Sequence, residues 1–155
     1  LAGGPCEAPI RDIWMRSVQA ARLTPGAHDV LGALTGRCPK VALVSNTTPV
    51  SWLILDRLGL RPYFRSIVFS CDVGYLKPDP RIFQEAISSL GARRGRSTCV
   101  VGDKIRTDIL GGRILGLSSI LLETRATSTM VDDRLPVDAV ISDLRNLLPL
   151  LGIKS

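Results

Sequence analysis

The fold is decided by Val100-Val101-Gly102-Asp103-Lys104-Ile105-Arg106-Thr107-Asp108, a stretch in the second half of the chain. An apolar run over residues 98–101 ends in Gly-Asp, and a second aspartate follows five residues later, where a new amphipathic segment begins. This order predicts a buried strand that presents two carboxylates at its C-terminal end. In open α/β sheets, ligands bind in the crevice beyond the carboxyl ends of the strands.

The two aspartates allow two interpretations. Carboxylates in a loop at a strand end suit Mg²⁺, which binds through one or two carboxylates together with water and substrate phosphate. Alternatively, Asp103 caps the following helix and Asp108 is a solvated acid in its first turn, where it complements the helix dipole. The stretch by itself does not decide between them.

Apolar runs of strand length alternate with segments of helical spacing along the rest of the chain. The pattern predicts strands over residues 40–45, 66–70, 97–102, 118–122 and 139–142. It predicts helices over residues 10–23, 27–34, 49–60, 80–90, 105–115 and 143–151, and a polar surface loop over residues 123–136. Such alternation is typical of right-handed βαβ units. We therefore expect an α/β fold with a Rossmann-like, mostly parallel sheet flanked by helices.

Length and composition restrict the class of protein. The 155 residues correspond to one domain, and 45% hydrophobic residues suffice for a sizeable core. The formal net charge is +6, but the basic residues are scattered apart from Arg93-Arg94-Gly95-Arg96, and only 5% of residues are aromatic. This distribution argues against a nucleic-acid partner, which requires a basic face and stacking platforms. We expect no membrane partner either, because no apolar stretch has the length of a membrane span.

The four cysteines, Cys6, Cys38, Cys71 and Cys99, are widely spaced and form no Cys-x-x-Cys pair. This spacing argues against a zinc site and against a disulfide framework. Cys71 and Cys99 lie in apolar runs and are expected to be small core residues. A reducing, cytoplasmic location fits this cysteine usage. Position 1 is Leu rather than Met, so we expect the chain to begin partway through a larger polypeptide.

Two further strand ends carry polar residues that a buried sheet does not require. Ser45-Asn46-Thr47 follows an apolar run, and a hydroxyl with free backbone N–H groups at a strand end can bind an oxyanion. The same residues are also ordinary turn formers. Lys77 opens the segment Lys77-Pro78-Asp79-Pro80 just before a predicted helix, which suggests a cation held in place by rigid prolines. The alternative for Lys77 is an exposed loop lysine.

Taken in order, the three polar strand ends resemble the second, third and fourth motifs of the haloacid dehalogenase superfamily. These motifs are Ser45-Asn46, the segment from Lys77 to Phe83, and Gly102-Asp103 followed by Asp108. Leu23-Thr24-Pro25-Gly26 is similar to the family's passage from the helical cap into the core, and residues 138–144 are similar to its last strand and helix. The resemblance covers residues 23–151. It implies the end of a cap and a linker in residues 1–24 and a partial core in residues 25–155.

The resemblance implies a Mg²⁺-dependent phosphoric-monoester hydrolase that acts on a small phosphorylated substrate through an aspartyl-phosphate. Ser45 and the backbone of Asn46 would hold a phosphoryl oxygen, and Lys77 would neutralise charge on the nucleophile and the phosphate. Asp103 would ligate Mg²⁺, with Asp108 completing the acidic loop directly or through water. Gly-Asp at this motif favours a phosphatase, because the family's dehalogenases need no metal and typically carry Ser-Ser-Asn there.

The family's first motif, Asp-x-Asp after an apolar strand, supplies the nucleophile and has no match in this chain. The acids before Ser45 are Glu7, Asp12 and Asp29, and none lies in such a context. In the family the corresponding strand is central, so its loss leaves two unpaired edges and an apolar slot. We expect a partial enzyme that is inactive alone, with a missing N-terminal segment or a homo-oligomer as its partner.

Three functions are compatible with these patterns. The first is a hydrolase whose nucleophile lies outside this chain. The second is a non-catalytic relic that keeps the fold as a binding or interaction module. The third is an arginine-driven nucleic-acid binder, whose affinity would depend steeply on salt. The joint presence of Ser45, Lys77, Asp103 and Asp108 favours the first, because a relic has no chemical reason to keep all four.

Overall fold

A computed structural model describes residues 7–37, 40–123 and 136–153. The strands are β1 (Ala42–Ser45), β2 (Ser66–Phe69), β3 (Cys99–Gly102), β4 (Ser118–Leu122) and β5 (Ala139–Ile141). The α-helices are α1 (Glu7–Ala20), α2 (Ala27–Arg37), α3 (Ser51–Arg57), α4 (Ser70–Val73), α5 (Pro80–Ser89), α6 (Leu110–Ile114) and α7 (Leu147–Leu150). Two 3-10 turns, Arg61–Tyr63 and Leu144–Asn146, and a π-helical turn, Ile105–Ile109, are also present. None of the helices in these ranges has both the length and the apolar character needed to cross a membrane.

The strands form two parallel sheets. In the first, β1 pairs with β2, and Ala42 lies opposite Ser66. In the second, β4 lies between β3 and β5, with Cys99 opposite Ser118. Helix α3 lies between β1 and β2 in the chain, and α6 lies between β3 and β4, as crossover connections of parallel strands require. The predicted α/β fold with a mostly parallel sheet flanked by helices is confirmed.

Helices cover both faces of the strands. On one face, the buried side chains of α5 pack against β2 and are joined by Ala42, Val44 and Val100. On the other face, α2 and α7 pack against Ile120 and Ile141, and Val41 joins this cluster. Residues next to or within β1 therefore contact the same helical layers as residues of the second sheet. The two sheets lie side by side between common helices.

The edges of β1 and β3 that face away from their paired strands have no strand neighbour within the described residues. All four residues of β1 are only half-buried, and Cys99 and Val101 of β3 are exposed. A central strand of a helix-covered parallel sheet is normally buried on both faces. These two unpaired edges agree with the expectation that a central strand is absent from the chain.

Several element boundaries differ from the prediction. Strand β2 ends at Phe69 because Ser70 already begins α4. The predicted helix over residues 49–60 is shorter, and it buries Leu55 while Leu53 is 50% exposed. The predicted helix over residues 105–115 begins as a π-helical turn, and the predicted helix over residues 143–151 begins as a 3-10 turn. The Asp143 side chain caps that turn by accepting from the backbone N–H of Arg145 at 2.8 Å.

The prediction that Cys71 and Cys99 are core residues is wrong, because both are exposed free thiols. Cys71 lies on α4 beyond the end of β2. Cys99 lies on β3, one edge of which has no strand neighbour within the described residues. Desolvation of the sulfur and the nearby Asp138 carboxylate nevertheless raise the pKa of Cys99 to about 11. Cys6, Cys38 and most of the predicted surface loop (124–135) lie outside the described residues.

Helix α1 packs against α3 and buries Val18. Its other apolar side chains are largely exposed: Ile13 is 62% exposed and Trp14 is 45% exposed. The division of the chain into the end of a cap with a linker (1–24) and a partial core (25–155) stays a prediction.

Candidate active site

The carboxyl ends of β1 and β3 meet at a cleft of about 180 Å³. Its lining is almost entirely polar and consists of Ser45, Asn46, Lys77, Asp103, Lys104, Thr107 and Asp108. The five predicted site residues are all in this set. A larger cavity of about 680 Å³ lies between α2 and α7, but it is mainly apolar. The small cleft is therefore the candidate site, because it holds the convergent charged groups.

Lys77 is fixed by two contacts of its ammonium group. The Nζ atom forms an ion pair with Asp108 Oδ1 at 2.7 Å and donates to the backbone oxygen of Val44 at 3.0 Å. The side chain is 15% exposed, and that of Asp108 is 7% exposed. An ammonium carries three N–H donors, so one is left for an anion in the cleft. Lys77 is thus not the freely exposed loop lysine that the sequence left as an alternative.

The side chain of Asn46 holds the main chain of Lys77. Asn46 Oδ1 accepts from the Lys77 N–H at 2.7 Å, and its Nδ2 donates to the Lys77 oxygen at 3.0 Å. The amide group thereby pairs with a backbone as a neighbouring strand would. Only the backbone N–H of Asn46 was predicted to contact an oxyanion, and the role of its side chain was missed. No local sequence pattern predicts the contact between Asn46 and Lys77, because the two residues are 31 positions apart.

Asp108 is 5% exposed, so the interpretation of this residue as a solvated first-turn acid is wrong. Its Oδ2 atom accepts from the backbone N–H of Lys104 at 3.1 Å, and its Oδ1 atom lies 3.4 Å from Thr107 Oγ1. A Cβ atom at Gly102 would lie 2.4 Å from the Cβ of Asp108, closer than real contacts allow. Glycine at position 102 is therefore what lets the Asp108 side chain fold back against the end of β3.

Asp103 lines the cleft and is partly buried. It does not cap the following turn, whose cap position is Lys104 without a side-chain hydrogen bond. No hydrogen bond from the residues in the described ranges reaches its carboxylate. The alternative interpretation of Asp103 as a helix cap is thus wrong, and its oxygens face a polar cleft.

The fit of Mg²⁺ to these residues can be judged from the donors that are present. Within the described ranges, no three His, Cys, Asp or Glu side chains cluster closely enough to hold a metal ion. The Asp103 carboxylate accepts no hydrogen bond from the described part of the chain, whereas both oxygens of Asp108 already accept hydrogen bonds. Carboxylate oxygens are ligands that Mg²⁺ prefers, and one or two of them suffice because water and substrate phosphate supply the other ligands. The residues of the cleft therefore fit part of a Mg²⁺ coordination shell.

Ser70 holds the loop after β1 through two hydrogen bonds. The Ser70 hydroxyl accepts from the backbone N–H of Thr47 at 2.9 Å and donates to the Thr47 oxygen at 3.2 Å. The Thr47 hydroxyl also pairs with that of Ser51 at the start of α3. Ser70 is buried, and sequence reasoning did not single it out. These bonds hold the backbone of Ser45 and Asn46 at the rim of the cleft.

Comparison with known proteins agrees with this geometry. Residues 8–116 match the profile of the family described as haloacid dehalogenase-like hydrolase. The chain is 34% identical over 131 residues to glyceraldehyde 3-phosphate phosphatase of Methanothermobacter thermautotrophicus, covering 82% of this chain and 58% of that protein. It is 36% identical over 127 residues to human haloacid dehalogenase-like hydrolase domain-containing protein 3, covering 81% and 50%. The chain spans about half the length of these curated relatives.

Solved structures with the same fold are also similar. The structure of a HAD phosphatase from Thermococcus onnurineus superposes with a TM-score of 0.82 at 24% identity, covering 94% of this chain and 65% of that one. A 2-haloacid dehalogenase from Pseudomonas syringae superposes with a TM-score of 0.71 at 28% identity, covering 86% and 54%. With three motifs gathered at one cleft, a family profile over most of its length and relatives above 30% identity, this chain belongs to the haloacid dehalogenase-like hydrolases.

Proposed function

We propose that the chain is part of a Mg²⁺-dependent phosphoric-monoester hydrolase that acts through an aspartyl-phosphate, with the nucleophile supplied from outside these residues. The observation that carries the proposal is the cleft in which a fixed ammonium, a free carboxylate and a strand-end hydroxyl converge. The names of relatives support it, among them a pyrimidine 5'-nucleotidase of Escherichia coli and a ribulose-1,5-bisphosphate 5-phosphatase of Halopiger xanaduensis. Both names describe phosphate monoesters as substrates, so we propose a small phosphorylated substrate for this chain.

Ser45 and Lys77 would bind the phosphoryl group. The Ser45 hydroxyl and the backbone N–H of Asn46, which lie at the end of β1, would donate hydrogen bonds to a phosphoryl oxygen. Lys77 would direct its remaining N–H donor at the same group and offset the repulsion between an anionic nucleophile and an anionic substrate. Because Asp108 and the Val44 carbonyl hold the ammonium, its position would not have to be organised during the reaction.

Asp103 would be the direct ligand of Mg²⁺, and Asp108 would contribute through water, since its oxygens hold Lys77 and the Lys104 N–H. When bound, the metal ion supplies positive charge that stabilises the charge developing on the phosphoryl oxygens. This requirement for an acid at position 103 favours a phosphatase over a carbon–halogen hydrolase, although both kinds of protein share the fold.

A reducing, cytoplasmic location is proposed as well. The free thiols of Cys71 and Cys99 are exposed, and such thiols persist most easily where disulfides do not form.

The proposal is tested by binding rather than by turnover. Titration of the chain with Mg²⁺ and inorganic phosphate, followed by amide chemical shifts, should move the signals of Ser45, Asn46 and Asp103 first. Asp103→Asn should abolish the response to Mg²⁺, whereas Asp72→Asn, which changes an exposed acid on α4, should leave it intact. Shifts that map elsewhere, or that are the same in both variants, would contradict the proposal and favour a non-catalytic binding module.

A further inference from the structure

Basic residues are concentrated where the strands begin. The carboxyl ends of β1 and β3 meet at the cleft and the described strands pair in parallel, so their amino ends lie at the opposite edge of the molecule. The described stretches just before the strands are 40–41, 58–65, 90–98, 115–117 and 136–138. They contain six basic residues and one acid, Asp138, whereas the whole chain has 20 basic and 14 acidic residues. The six are Lys40, Arg61, Arg65, Arg93, Arg94 and Arg96.

Contacts between these stretches bring the basic residues together. Lys40 Nζ donates to the Gly91 oxygen at 2.9 Å, which joins the start of β1 to the stretch before β3. The Arg65 N–H donates to the Val41 oxygen at 2.9 Å, so Arg65 lies beside the residue that follows Lys40. The stretches that lead into β1, β2 and β3 therefore share one surface.

The stretch before β3 is also held against the second sheet. The Thr98 hydroxyl donates to the Arg93 oxygen at 2.5 Å, and the hydroxyl of Ser118, at the start of β4, donates to the Arg96 oxygen at 3.0 Å. Both bonds fix the backbone that carries the arginines. We call the resulting surface, formed by Lys40, Arg65, Arg93, Arg94 and Arg96, the basic edge.

The charges of the basic edge are largely unneutralised. All five residues are exposed. Arg96 pairs with Asp138, yet its side chain stays 74% exposed, and the other four form no ion pair within the described ranges. None of the five lies in the last turn of a helix, where a basic residue complements the helix dipole. Local structure therefore does not account for this accumulation of charge.

The composition of the basic edge indicates its partner. Four of its five cations are arginines, whose planar fork matches a phosphate with two parallel hydrogen bonds. A protein interface needs aromatic or apolar anchors, and a membrane site needs apolar side chains that enter the lipid. None of the large apolar side chains recorded as exposed belongs to the described stretches before the strands. Interfaces with nucleic acid, by contrast, are polar and strongly positive.

We propose that the basic edge binds a nucleic-acid duplex through its phosphates, without reading its sequence. A duplex carries one charge per about 1.7 Å of its axis and neighbouring strands lie about 4.8 Å apart, so cations before successive strands can each meet a phosphate. Single-stranded nucleic acid fits less well, because it needs exposed aromatic rings on which bases stack. The sequence argued against a nucleic-acid partner because the basic residues are scattered along the chain, and the fold gathers them. The inference does not rest on the proposed function, since the cleft lies at the other edge.

Salt dependence tests the inference on the intact chain. The probe is a fluorescent DNA duplex of about 20 base pairs, and its anisotropy reports binding. Each phosphate contact adds about −0.9 to the slope of log K against log salt, so four unpaired cations should weaken binding about 100-fold between about 50 and 200 mM salt. A duplex that does not bind at the lower salt concentration, or a slope near zero, would overturn the inference.

Matched variants separate the basic edge from net charge. Arg93→Gln combined with Arg94→Gln should make the slope shallower by about 1.8, because two contacts are lost. Arg11→Gln combined with Arg16→Gln, at two exposed positions of α1, lowers the net charge equally and should leave the slope nearly unchanged. An equal loss in both double variants would overturn the inference. Arg65→Gln, with an expected change of about 0.9, replaces the first variant if circular dichroism shows that it does not fold.

Amide chemical shifts locate the contact. The duplex should move the signals of Lys40, Arg65 and Arg94 and leave those of Ser45 and Asp103 in place. Shifts confined to Ser45 and Asp103 would overturn the inference, because the duplex would then bind at the cleft. The Mg²⁺ and phosphate titration of the cleft is read from the latter signals alone, so either proposal can fail without the other.

Competing partners are measured in the same assay. Polyglutamate that displaces the duplex at equal concentration of charge would overturn the inference in favour of an acidic protein segment. Vesicles of phosphatidylserine and phosphatidylcholine that bind the chain while the duplex does not would overturn it in favour of a membrane surface. Tighter binding of a single strand of the same length would overturn the assignment to a duplex.

Discussion

At the scale of single residues, the candidate site depends on polar side chains that hold other polar side chains. Lys77 is held at its ammonium by Asp108 and Val44 and at its main chain by Asn46. Ser70 holds the Thr47 backbone in the loop after β1. Such contacts fix the geometry of a site before a ligand arrives, which is how charged groups stabilise a developing charge at low cost.

The first prediction concerns Asn46. Asn46→Ala removes both hydrogen bonds to the Lys77 main chain and should lower the free energy of unfolding by about 1–2 kcal/mol. It should also weaken the binding of inorganic phosphate, because the main chain that carries the Lys77 side chain loses both hydrogen bonds to the loop after β1. Calorimetric titration and urea unfolding measure the two effects. Thr48→Ala, a change at an exposed position in the same loop, should alter neither, and an equal effect of both variants would refute the positioning role.

The second prediction concerns the Lys77–Asp108 ion pair. Removal of one partner leaves a nearly buried charge alone, so Lys77→Met or Asp108→Asn should each cost about 3 kcal/mol of unfolding free energy. The double variant should cost clearly less than the sum of the two single ones, with a coupling of about 1–3 kcal/mol in a double-mutant cycle. The exposed pair Arg61–Asp56 is the matched control and should show a coupling below about 1 kcal/mol.

At the scale of elements, glycines allow α6 to approach its neighbours. A Cβ atom at Gly112 would lie 2.4 Å from Cγ1 of Val100 on β3, and one at Gly111 would lie 2.3 Å from the ring of Phe83 on α5. Both glycines are buried. The close contact of α6 with β3 places the Ile105–Ile109 turn, and hence Asp108, at the cleft.

The third prediction follows from this packing. Gly112→Ala should lower the unfolding free energy by about 1–3 kcal/mol, because Val100 is branched and packed and cannot move aside freely. Gly36→Ala in α2 is the control, since nothing lies within 4 Å of its added Cβ and the helix gains propensity. That variant should be neutral or up to about 1 kcal/mol more stable in denaturant unfolding. Equal destabilisation by both would show that the contact with Val100 is irrelevant.

The fourth prediction concerns Asp138, which lies just before β5 and accepts hydrogen bonds from the segment before β3 and from β4. Arg96 donates to its Oδ1 atom at 2.5 Å, and the N–H and hydroxyl of the buried Ser119 donate to its Oδ2 atom. The hydrogen bond from Arg96, followed by that from the Ser119 backbone, lowers the pKa of Asp138 below its ordinary value.

A lowered folded-state pKa gives stability that is present above the unfolded-state pKa of about 4 and is lost as the pH falls through the folded-state pKa. We therefore expect the difference in urea midpoint between the parent chain and Asp138→Asn to be largest at pH 7 and to shrink below pH 4. A difference that is constant from pH 7 to pH 2 would exclude this linkage.

At the scale of the whole molecule, the domain is two parallel sheets held side by side by shared helices. The cleft forms at the carboxyl ends of β1 and β3, whose outer edges have no strand neighbour within the described residues. The described residues place no carboxylate between Ser45 and Asp103 that could attack a phosphorus atom.

The fifth prediction is that the purified chain does not hydrolyse para-nitrophenyl phosphate, with or without Mg²⁺. Its physical reason is the absence of a nucleophile from the cleft as described. A colorimetric assay at millimolar substrate measures it. Metal-dependent turnover that disappears in Asp103→Asn would refute the prediction and would require a nucleophile within this chain.

Much of this architecture follows from local patterns in the sequence. Apolar runs and turn residues placed all five strands within about two residues of their observed limits, because strand burial and chain reversal depend on neighbouring positions. The polar residues at three strand ends were likewise visible, and parallel pairing brings such ends to one edge of a sheet. Asp79 caps α5 by accepting a hydrogen bond from the Arg81 N–H at 2.9 Å, and such a cap also depends only on neighbouring residues.

Only the tertiary structure decided which side chains those strand ends bring into contact. Asn46 and Lys77 are 31 residues apart, and Lys77 and Val44 are 33 apart, so no periodicity relates them. Burial likewise depends on the packing of distant elements, which is why Asp108 is enclosed while Cys99 and Leu53 are exposed. The sequence by itself determined the strands, the helices and the chemistry at their ends, because these depend on local spacing. The arrangement of the cleft at the ends of β1 and β3 came from long-range contacts, which local spacing does not encode.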